Sequence, residues 1–571
     1  MQPADEAYWD VLIIGASMAG ACLARQLKIA HPHLAILNVD RKTSFDYGAG
    51  ESMLEIFWDY AAKDLDLGPY LDSCHLPKNG LRFFFDSPAK SLALSDRSEM
   101  GRAWTDAIPS HQIDRQRFDR DINAMNAELG VNVSLGTEVS TIEIDRHRGH
   151  LVTLTDGRKI RCKWLVDAAG FSAPLARKLK ILKPNTAHPI SCRWARIENM
   201  NAIDHMGPAA WRERVNYTSR FLSTVHFMYS GYWFWLIPLS HTVTSVGVVW
   251  HHDKAPLDIK SQAAFIDFIK SHKALSDLLG NSFRVIDFHG LKNMSRIATQ
   301  FYSEDRWFLT GMSAAFLDPL FSSGSAFLAD ANRMIGDLIE TDITGQHDVL
   351  TKKLVAYNAH SRWWLENFLL HITGNYHGSF DLMRSLFEPL LMDFFGLILP
   401  TSMSRQWGYD PTQNYDDKDI VLETKLKMVE TGPAKLVHKI ANELAEFLAE
   451  REGLMTNNAG HFVDIKIKDN YIHNSLSRGR DLSPEKIQSL HKDMIAVSVR
   501  LALERMAIST KKTLNTEAMT AVTHAITHNN MTLKEAFAVC SGATKCPPIN
   551  EAPNLAGVPQ KHTFAAYWEG S

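Results

Sequence analysis

A glycine fingerprint between two apolar runs constrains the fold of this chain more than any other feature. The apolar run at residues 11–14 leads directly into Gly15, Ser17 and Gly20, which open a helix-forming segment. Glycines at the turn and at the helix start allow strand and helix to pack closely, while the free N–H groups of the helix bind a pyrophosphate. Asp40 ends the next apolar run, at the distance where a carboxylate can bind the ribose of an adenosine. The pattern predicts a dinucleotide-binding unit of strand, helix and strand.

The length and the patterning indicate more than one domain. A chain of 571 residues exceeds what one hydrophobic core usually holds. Residues 1–180 alternate strands and helices, whereas residues 181–300 are β-rich and aromatic, as in an inserted substrate domain. Residues 301–345 return to the nucleotide sheet, and residues 346–571 are predicted to form a helical C-terminal region. The predicted fold is therefore α/β, a Rossmann-like doubly wound sheet with an inserted β-rich domain and a helical region after it.

Net charge and cysteine spacing restrict the kinds of partner and cofactor that the chain is expected to bind. A net charge of −3 with mixed signs gives no basic surface for nucleic acid. No apolar run reaches membrane-spanning length, so we expect a cytoplasmic protein without membrane insertion. The six cysteines lack a paired C-x-x-C pattern, which favours free thiols, and no histidine or cysteine spacing predicts a metal site. A small-molecule substrate is the expected partner.

A second informative segment is W-F-W-L-I-P at residues 233–238. In an extended strand Trp233 and Trp235 project from the same face and form a rigid aromatic wall that can close a cavity. Pro238 cannot donate to a sheet ladder, so the strand is expected to end there. Such a tryptophan pair alone most often belongs to a hydrophobic core. Its occurrence downstream of a dinucleotide fingerprint makes it a candidate for the active site.

With both motifs in view, the chain resembles the flavin-dependent halogenases. W-x-W-x-I-P is the distinguishing motif of that family, and related flavin hydroxylases generally lack it. The members that act on free tryptophan carry a glutamate where this chain has Phe321, so the resemblance favours the branch that acts on phenols or pyrroles. The match in motif order extends over roughly residues 8–400.

The resemblance implies a role for each motif. The loop with Gly50, Glu51 and Ser52 would strap over the flavin, and the backbone amides of Ser323 and Gly324 would hold a halide. The catalytic residues would be Lys78, Trp233, Trp235 and Glu51. The FAD-binding residues would be Gly15, Ser17, Gly20, Asp40, Arg41, Gly50, Ser52, Arg115, Asp167, Gly170, Gly311 and Asp318.

The implied chemistry is halogenation of an electron-rich ring. FAD, supplied as FADH2, would react with O2 and a chloride or bromide ion to give hypohalous acid, which Lys78 would orient by a hydrogen bond or as a haloamine. Without the resemblance, a lysine in a Pro-Lys-Asn-Gly turn would be expected in solvent. Because no second glycine fingerprint provides a nicotinamide site, a separate flavin reductase would supply FADH2. The substrate would be a small aromatic, phenolic natural-product intermediate, free or tethered to a carrier protein.

Two alternatives stay open at this level. An aromatic hydroxylase could use the same nucleotide fold, although the tryptophan pair and Lys78 argue against it. A catalytically silent flavoprotein is motivated by Met312, which stands where flavoproteins of this plan commonly carry an aspartate that bonds the ribityl chain. Methionine is a poor substitute for that acceptor, so weak FAD binding is the corresponding hypothesis.

Overall fold

Two large β-sheets organise the chain, and a group of helices follows them. The coordinates are a computed structural model, which describes residues 6–105, 109–393, 433–451, 460–464, 484–528 and 530–544.

The nucleotide sheet has seven strands within the described residues. Its central members pair in parallel, as the doubly wound prediction requires, and two antiparallel strands extend one edge. In spatial order the strands are Asn132–Leu135, Ile36–Asp40, Glu6–Ile14, Lys159–Asp167, His150–Leu154 and Val139–Glu143, with Trp307–Leu309 also pairing with Lys159–Asp167. The return of the chain at Trp307–Leu309 confirms that this sheet is discontinuous in sequence.

The fingerprint forms the predicted turn between Glu6–Ile14 and the helix Met18–Ala30. A Cβ atom on Gly20 would lie 1.9 Å from the carbonyl oxygen of Gly15, a distance that no side chain tolerates. The missing side chain is therefore what lets the helix pack directly on the strand. The run at residues 11–14 is almost fully buried, because helices cover a parallel sheet on both faces.

The second sheet, called the aromatic sheet, has nine strands in the described chain. Its order is Arg284–Val285, Ile190–Glu198, Val243–His251, Tyr232–Pro238, Thr224–Tyr229, Leu81–Phe85, Ser98–Gly101 and Phe462–Asp464, with His289–Leu291 beside Ile190–Glu198. Two small sheets accompany it, one formed by Leu182–Pro184, Arg296–Ala298 and Ala315–Phe316 and the other by Leu76–Pro77 and His111–Gln112.

The aromatic sheet does not follow the boundaries drawn from the sequence. Leu81–Phe85 and Ser98–Gly101 belong to it, although they fall within residues 1–180. Leu81–Phe85 pairs in parallel with Thr224–Tyr229, and its three consecutive phenylalanines suit a strand that is buried on both faces. Phe462–Asp464, from the C-terminal region, extends the same sheet beside Ser98–Gly101. Pairing between distant segments decides this membership, and periodicity within one segment cannot reveal it.

Each face of the aromatic sheet lies in a different hydrophobic core. Phe83, Trp233 and Trp235 belong to a core that is continuous with the nucleotide sheet. Phe84 and Phe234, one residue along in each strand, belong to a second core beneath the helices Gln262–Lys270 and Lys273–Leu279. The strand Tyr232–Pro238 ends at the proline, as predicted, and sits in the middle of the sheet.

Helices dominate the described chain after residue 346, as the sequence predicts. The helix Pro433–Ala449 is amphipathic, and its apolar side is buried in a core made mainly by the C-terminal helices. The helices of the whole described chain are Met18–Ala30, Glu55–Lys63, Gly68–Cys74, Arg115–Glu128, Pro174–Lys178, Ala209–Arg212, Gln262–Lys270, Lys273–Leu279, Ser323–Ile343, His347–Thr373, Phe380–Asp393, Pro433–Ala449, Pro484–Thr510, Met519–Thr527 and Leu533–Cys540.

Membrane-spanning helices, cysteines and metal sites can be described only for the residues that the structure covers. In those residues no helix is both long enough and apolar enough to cross a membrane. Five of the six cysteines are free thiols, and Cys546 lies outside the described residues. The described chain also contains no group of three or more histidine, cysteine or acidic side chains arranged to hold a metal ion.

Candidate active site

The fingerprint loop has the form of a pyrophosphate site. Ser17 is the N-cap of Met18–Ala30, yet its side chain makes no capping bond, so the first N–H groups of the helix are left without that partner. Asp40 ends the neighbouring parallel strand, and its Oδ2 accepts the backbone N–H of Ala16 at 2.8 Å. Arg41 beside it is exposed. An uncapped helix start with a carboxylate at the next strand end fits the pyrophosphate and ribose of a dinucleotide.

The strap loop, residues 48–52, is held by buried charge. The Glu51 carboxylate pairs with Arg196, the shortest nitrogen–oxygen distance being 2.8 Å, and Arg196 also donates to the carbonyl of Gly48. Burial raises the pKa of Glu51, while the charge of Arg196 opposes that shift. Arg115 donates to the carbonyl of Ala49. The two guanidinium groups therefore fix the loop from the aromatic sheet and from the nucleotide domain.

A second turn follows the strand Lys159–Asp167. The buried Asp167 carboxylate accepts the Ser313 hydroxyl, one backbone N–H group of its own turn and two of the helix Pro174–Lys178, and burial raises its pKa. Arg296 donates to the carbonyls of Gly170 and Met312, and so joins this turn to the one at Gly311. The carboxylate thus braces the turn, and the backbone around Gly170 and Gly311 is the part available to a cofactor.

The halide segment, residues 318–324, ends at the start of the helix Ser323–Ile343. Phe321 and Ser322 both have positive φ, 68° and 56°, which is costly for residues with a side chain. The left-handed Ser322 is followed by Ser323 in the right-handed conformation, with φ −63°, and such an alternation turns successive backbone N–H groups toward one point, as in an anion-binding nest. Ser322 makes no capping bond, and a Cβ atom on Gly324 would meet nothing within 4 Å. The space beside Gly324 is therefore open, which leaves room for a small anion near the start of the helix.

Trp233 and Trp235 form the predicted wall. Both side chains are buried, and their ring centroids are 6.0 Å apart. Trp233 donates its indole N–H to the Tyr376 hydroxyl at 3.1 Å, and Trp235 donates to the Ser245 hydroxyl at 3.2 Å. The Trp235 ring lies across Gly247, where a Cβ atom would come within 2.2 Å of it. Cross-strand packing and hydrogen bonds therefore hold each indole in one orientation.

Lys78 is buried, with 4% of its surface exposed, and the solvated position that its turn suggests is wrong. Its ammonium donates to the carbonyl of Met53, directly after the strap loop, at 2.6 Å. The neighbouring side chain is His226, which stacks on Phe83 with centroids 4.6 Å apart and lies 5.3 Å from the Trp233 ring. Burial, aided by the charge of Lys78, lowers the pKa of His226 to about 3, so this imidazole is neutral.

Ser52 is the point where the elements of the site meet. Its hydroxyl lies 2.7 Å from the Thr224 hydroxyl of the aromatic sheet and accepts the Ser322 hydroxyl of the halide segment at 2.8 Å. One side chain of the strap loop therefore links the aromatic sheet to the halide segment.

The structure brings most predicted residues into one region and adds others. Lys78, the strap loop, the halide segment and the tryptophan wall are connected through direct contacts, whereas Arg41 lies apart at the exposed nucleotide end. Arg196 stands between the apolar residues Ala195 and Ile197 of a strand, which is a sequence signal that could have been noticed. The residues that the sequence analysis missed are Arg196, His226, Arg296, Tyr376 and His188.

The fold and the site together define a flavin-dependent oxidoreductase. The family model described as tryptophan halogenase matches residues 89–379. Flavin-dependent halogenase chlA of Dictyostelium discoideum is 23% identical over 448 residues, covering 70% of this chain and 71% of that protein. A 1H-pyrrole-2-carbonyl-(peptidyl-carrier protein) chlorinase of Pseudomonas fluorescens is 25% identical over 398 residues, covering 64% of this chain and 83% of that one.

A solved structure of similar fold is that of halogenase PltM in complex with phloroglucinol and FAD. It superimposes with a TM-score of 0.66 at 16% identity, covering 83% of this chain and 96% of the other. The chain belongs to the tryptophan halogenase family. It is a flavin-dependent halogenase, an oxidoreductase that uses FAD, a halide and O2.

Proposed function

We propose that this halogenase acts on a phenolic ring and that Lys78 receives the hypohalous acid. The observation that carries the proposal is the position of Lys78, a buried ammonium between the strap loop and the face of the aromatic sheet that bears Trp233. FAD bound at the fingerprint and reduced to FADH2 would supply, with O2, the oxidation of halide to hypohalous acid. The remaining steps depend on side chains of this chain.

The ammonium of Lys78 has a hydrogen-bond geometry suited to orienting an electrophile. The ammonium donates to the carbonyl of Met53 at 2.6 Å, which holds it beside the strap loop. An N–H directed at the oxygen of hypohalous acid would polarise the oxygen–halogen bond. The ring carbon would form its bond to halogen as that bond breaks, and the ring proton and hydroxide would leave as water. His226, beside Lys78, is neutral, so it adds no second positive charge next to the bound acid.

The wall of Trp233 and Trp235 would separate the organic substrate from the flavin. Both rings are buried and their N–H groups are engaged, so neither indole is free to swing aside. Contact between a phenol and reduced, oxygenated flavin would lead to hydroxylation. This rigid geometry supports a role in which the wall excludes the organic substrate and lets the smaller hypohalous acid pass.

Halide would bind at the amides of Ser323 and Gly324. The positive φ values of Phe321 and Ser322, and the use of the Ser322 hydroxyl by Ser52, leave the helix start without a protein acceptor from its own cap. Such a site holds an anion through backbone dipoles and selects weakly between chloride and bromide.

One relative supports the phenolic ring of the substrate, and another supports its attachment to a carrier protein. The solved structure of PltM carries phloroglucinol, a phenol, while the Pseudomonas enzyme is named for a pyrrole on a peptidyl-carrier protein. Phe321 occupies the place of the glutamate found in enzymes for free tryptophan. We infer a phenolic substrate, either free or bound to a carrier protein, and a separate flavin reductase as the source of FADH2.

The test is mass spectrometry of phenols, pyrroles and indoles incubated with protein, FAD, NADH, O2 and bromide, with and without a flavin reductase. Each phenol is offered free and as a carrier-protein thioester. We expect the bromine isotope doublet on a phenol, and only when the reductase is present. Lys78→Met should lower product formation about 100-fold or more, because it removes the donor that orients the acid.

Lys28→Met is the matched control, since Lys28 also donates to backbone carbonyls but lies at the far end of the first helix. It should leave the yield unchanged. Lys78→Arg separates two roles, because a guanidinium can donate hydrogen bonds but forms no comparable haloamine. Oxygen insertion driven by NADH without a reductase would instead identify a hydroxylase, and full activity of Lys78→Met would reject the role of this lysine.

A further inference from the structure

A buried chain of hydrogen bonds connects the tryptophan wall to the halide segment. Trp233 donates to the hydroxyl of Tyr376, which donates to Asp318 Oδ2 at 2.5 Å. His188 Nε2 lies 2.7 Å from the same carboxylate oxygen. All four side chains are at least nine-tenths buried. The carboxylate therefore receives side-chain hydrogen bonds from two distant parts of the chain.

Asp318 controls the shape of the halide segment. Its Oδ1 accepts the backbone N–H of Leu320 at 2.9 Å, which bends the chain immediately before Phe321 and Ser322 enter the positive-φ conformation. A carboxylate held by side-chain donors on one oxygen and by the loop on the other fixes that bend. The orientation of the amides at Ser323 and Gly324 depends on it.

Tyr376 is anchored by its main chain as well. Its carbonyl accepts the N–H of Gly231 at 2.9 Å, in the turn that precedes the strand of the tryptophan wall. Two residues on, a Cβ atom at Gly378 would lie 2.4 Å from the backbone of Tyr229, so the two turns are in close contact. Burial and the neighbouring Asp318 raise the pKa of Tyr376 well above its usual value, so its hydroxyl is a permanent donor.

We propose that Tyr376 and His188 are positioning residues for halogenation, which hold the halide segment and Trp233 in one fixed relation through Asp318. This inference rests on the proposed halide site. Neither residue contacts the reacting atoms in the scheme. Their effect is that acid formed at Ser323 and Gly324 meets the wall in a constant geometry and passes along it, so that little oxidising equivalent is lost as hydrogen peroxide. The C-terminal region thereby contributes directly to the coupling of the reaction.

Tyr376→Phe tests the proposal because it keeps the ring and removes both hydrogen bonds of the hydroxyl. The measurements are hydrogen peroxide released, hypobromous acid captured by a soluble trap, and the bromide dependence of that capture, all with enzymatically reduced FAD. We expect the peroxide fraction to rise several-fold and KM for bromide to rise roughly five- to tenfold, with kcat changed less than about twofold.

Tyr302→Phe is the control, because Tyr302 is equally buried and its hydroxyl lies 3.2 Å from that of Ser361, within the packing of the helix His347–Thr373. Tyr302→Phe should leave both the peroxide fraction and KM for bromide unchanged. If Tyr376→Phe does not fold, a second pair of variants tests the same proposal. His188→Leu should raise KM for bromide, and His188→Gln, whose amide can still donate to Asp318, should recover most of it.

Two results would overturn the proposal. One is a folded Tyr376→Phe enzyme with wild-type peroxide fraction and wild-type KM for bromide. The other is equal behaviour of His188→Leu and His188→Gln, which would indicate packing alone. Failure of the proposed function looks different, because trapped hypobromous acid requires no organic substrate. Wild-type protein that yields acid but no halogenated phenol would reject the substrate assignment and leave this inference intact.

Discussion

The two faces of the strand Tyr232–Pro238 are equally aromatic and serve different purposes. On one face Trp233 and Trp235 direct their N–H groups to Tyr376 and Ser245. On the other face Phe234 packs against Phe268, with ring centroids 5.5 Å apart, in a core without cofactor motifs. Alternation along the strand separates the two sets cleanly.

The comparison teaches that the destination of the polar partners, and not aromatic content, distinguishes the site face from the core face, because the core face has polar contacts of its own, such as the Tyr232 hydroxyl 2.8 Å from His272 Nε2. The partners of the tryptophan wall lead in one step to buried carboxylates, Asp318 through Tyr376 and Glu51 through Ser245. Such networks are stabilising only when every member is satisfied, so they fix one arrangement of the side chains. Aromatic stacking on the opposite face tolerates more variation, because dispersion is not directional.

The largest expected effect contrasts Trp235→Ala with Phe234→Ala. Each removes a large buried ring, and each should lower the free energy of unfolding by about 3–5 kcal/mol. Only Trp235→Ala opens the wall, so it alone should release peroxide or hydroxylated product in place of halogenated product. The measurement is denaturant unfolding together with the ratio of halogenated product to peroxide. Equal ratios in the two variants would show that the faces do not differ as described.

A second contrast uses two buried histidines, one for each face. Burial lowers the pKa of His226 on the site face and of His272 near Phe234 to about 3, from an ordinary value of 6.5. Because the folded value lies below the unfolded value, the stability is full above about pH 6.5 and is lost as pH falls toward 3. His226→Gln and His272→Gln should each flatten the pH dependence of unfolding by about 1.4 kcal/mol per pH unit.

Activity then separates the two histidines. At neutral pH, where both are uncharged, His226→Gln should lower halogenation because His226 packs between Phe83 and Trp233 beside Lys78. His272→Gln should retain halogenation, because His272 contacts the Tyr232 hydroxyl and the Phe268 carbonyl on the core face. A loss of activity in His272→Gln as large as in His226→Gln would contradict the division into a site face and a core face.

The smallest expected effect comes from Ser52→Ala. The change removes the hydroxyl that joins Thr224 and Ser322 and should cost about 1 kcal/mol of stability, with a modest rise in KM for bromide. Ser191→Ala is the control, since its buried hydroxyl bonds His252 and Asn293 elsewhere on the aromatic sheet. It should cost similar stability without changing KM. Halide titrations of both variants distinguish the outcomes.

Much of the fold was predictable because its signals are local. The fingerprint at Gly15 and Gly20, the end of the strand at Pro238 and the apolar side of Pro433–Ala449 each follow from residues within a few positions of one another. The membership of Leu81–Phe85 in the aromatic sheet was missed because it arises from pairing with residues far along the chain. Pairing between strands far apart in sequence produces no periodic pattern of residues in either strand.

The candidate site divides in the same way. The motifs at Lys78, at the strap loop and at the halide segment were found by resemblance, and the direction of the two indoles by alternation. The burial of Lys78 was not foreseen, because a turn sequence is normally solvated and only the surrounding elements decide otherwise. Arg196 and Tyr376 were missed because neither belongs to a motif, and each becomes functional through one long-range hydrogen bond.

The sequence by itself determined a dinucleotide-binding α/β plan, a tryptophan pair on one face of a strand and a short segment able to bind an anion. These features depend on backbone geometry and on the alternation of side chains, which a few neighbouring residues dictate. Tertiary structure alone decided that Tyr376 meets Trp233 and Asp318, that Arg196 neutralises Glu51, and that Lys78 is enclosed. Each of these contacts joins segments far apart in the chain, and desolvation in the folded interior is what gives each its strength.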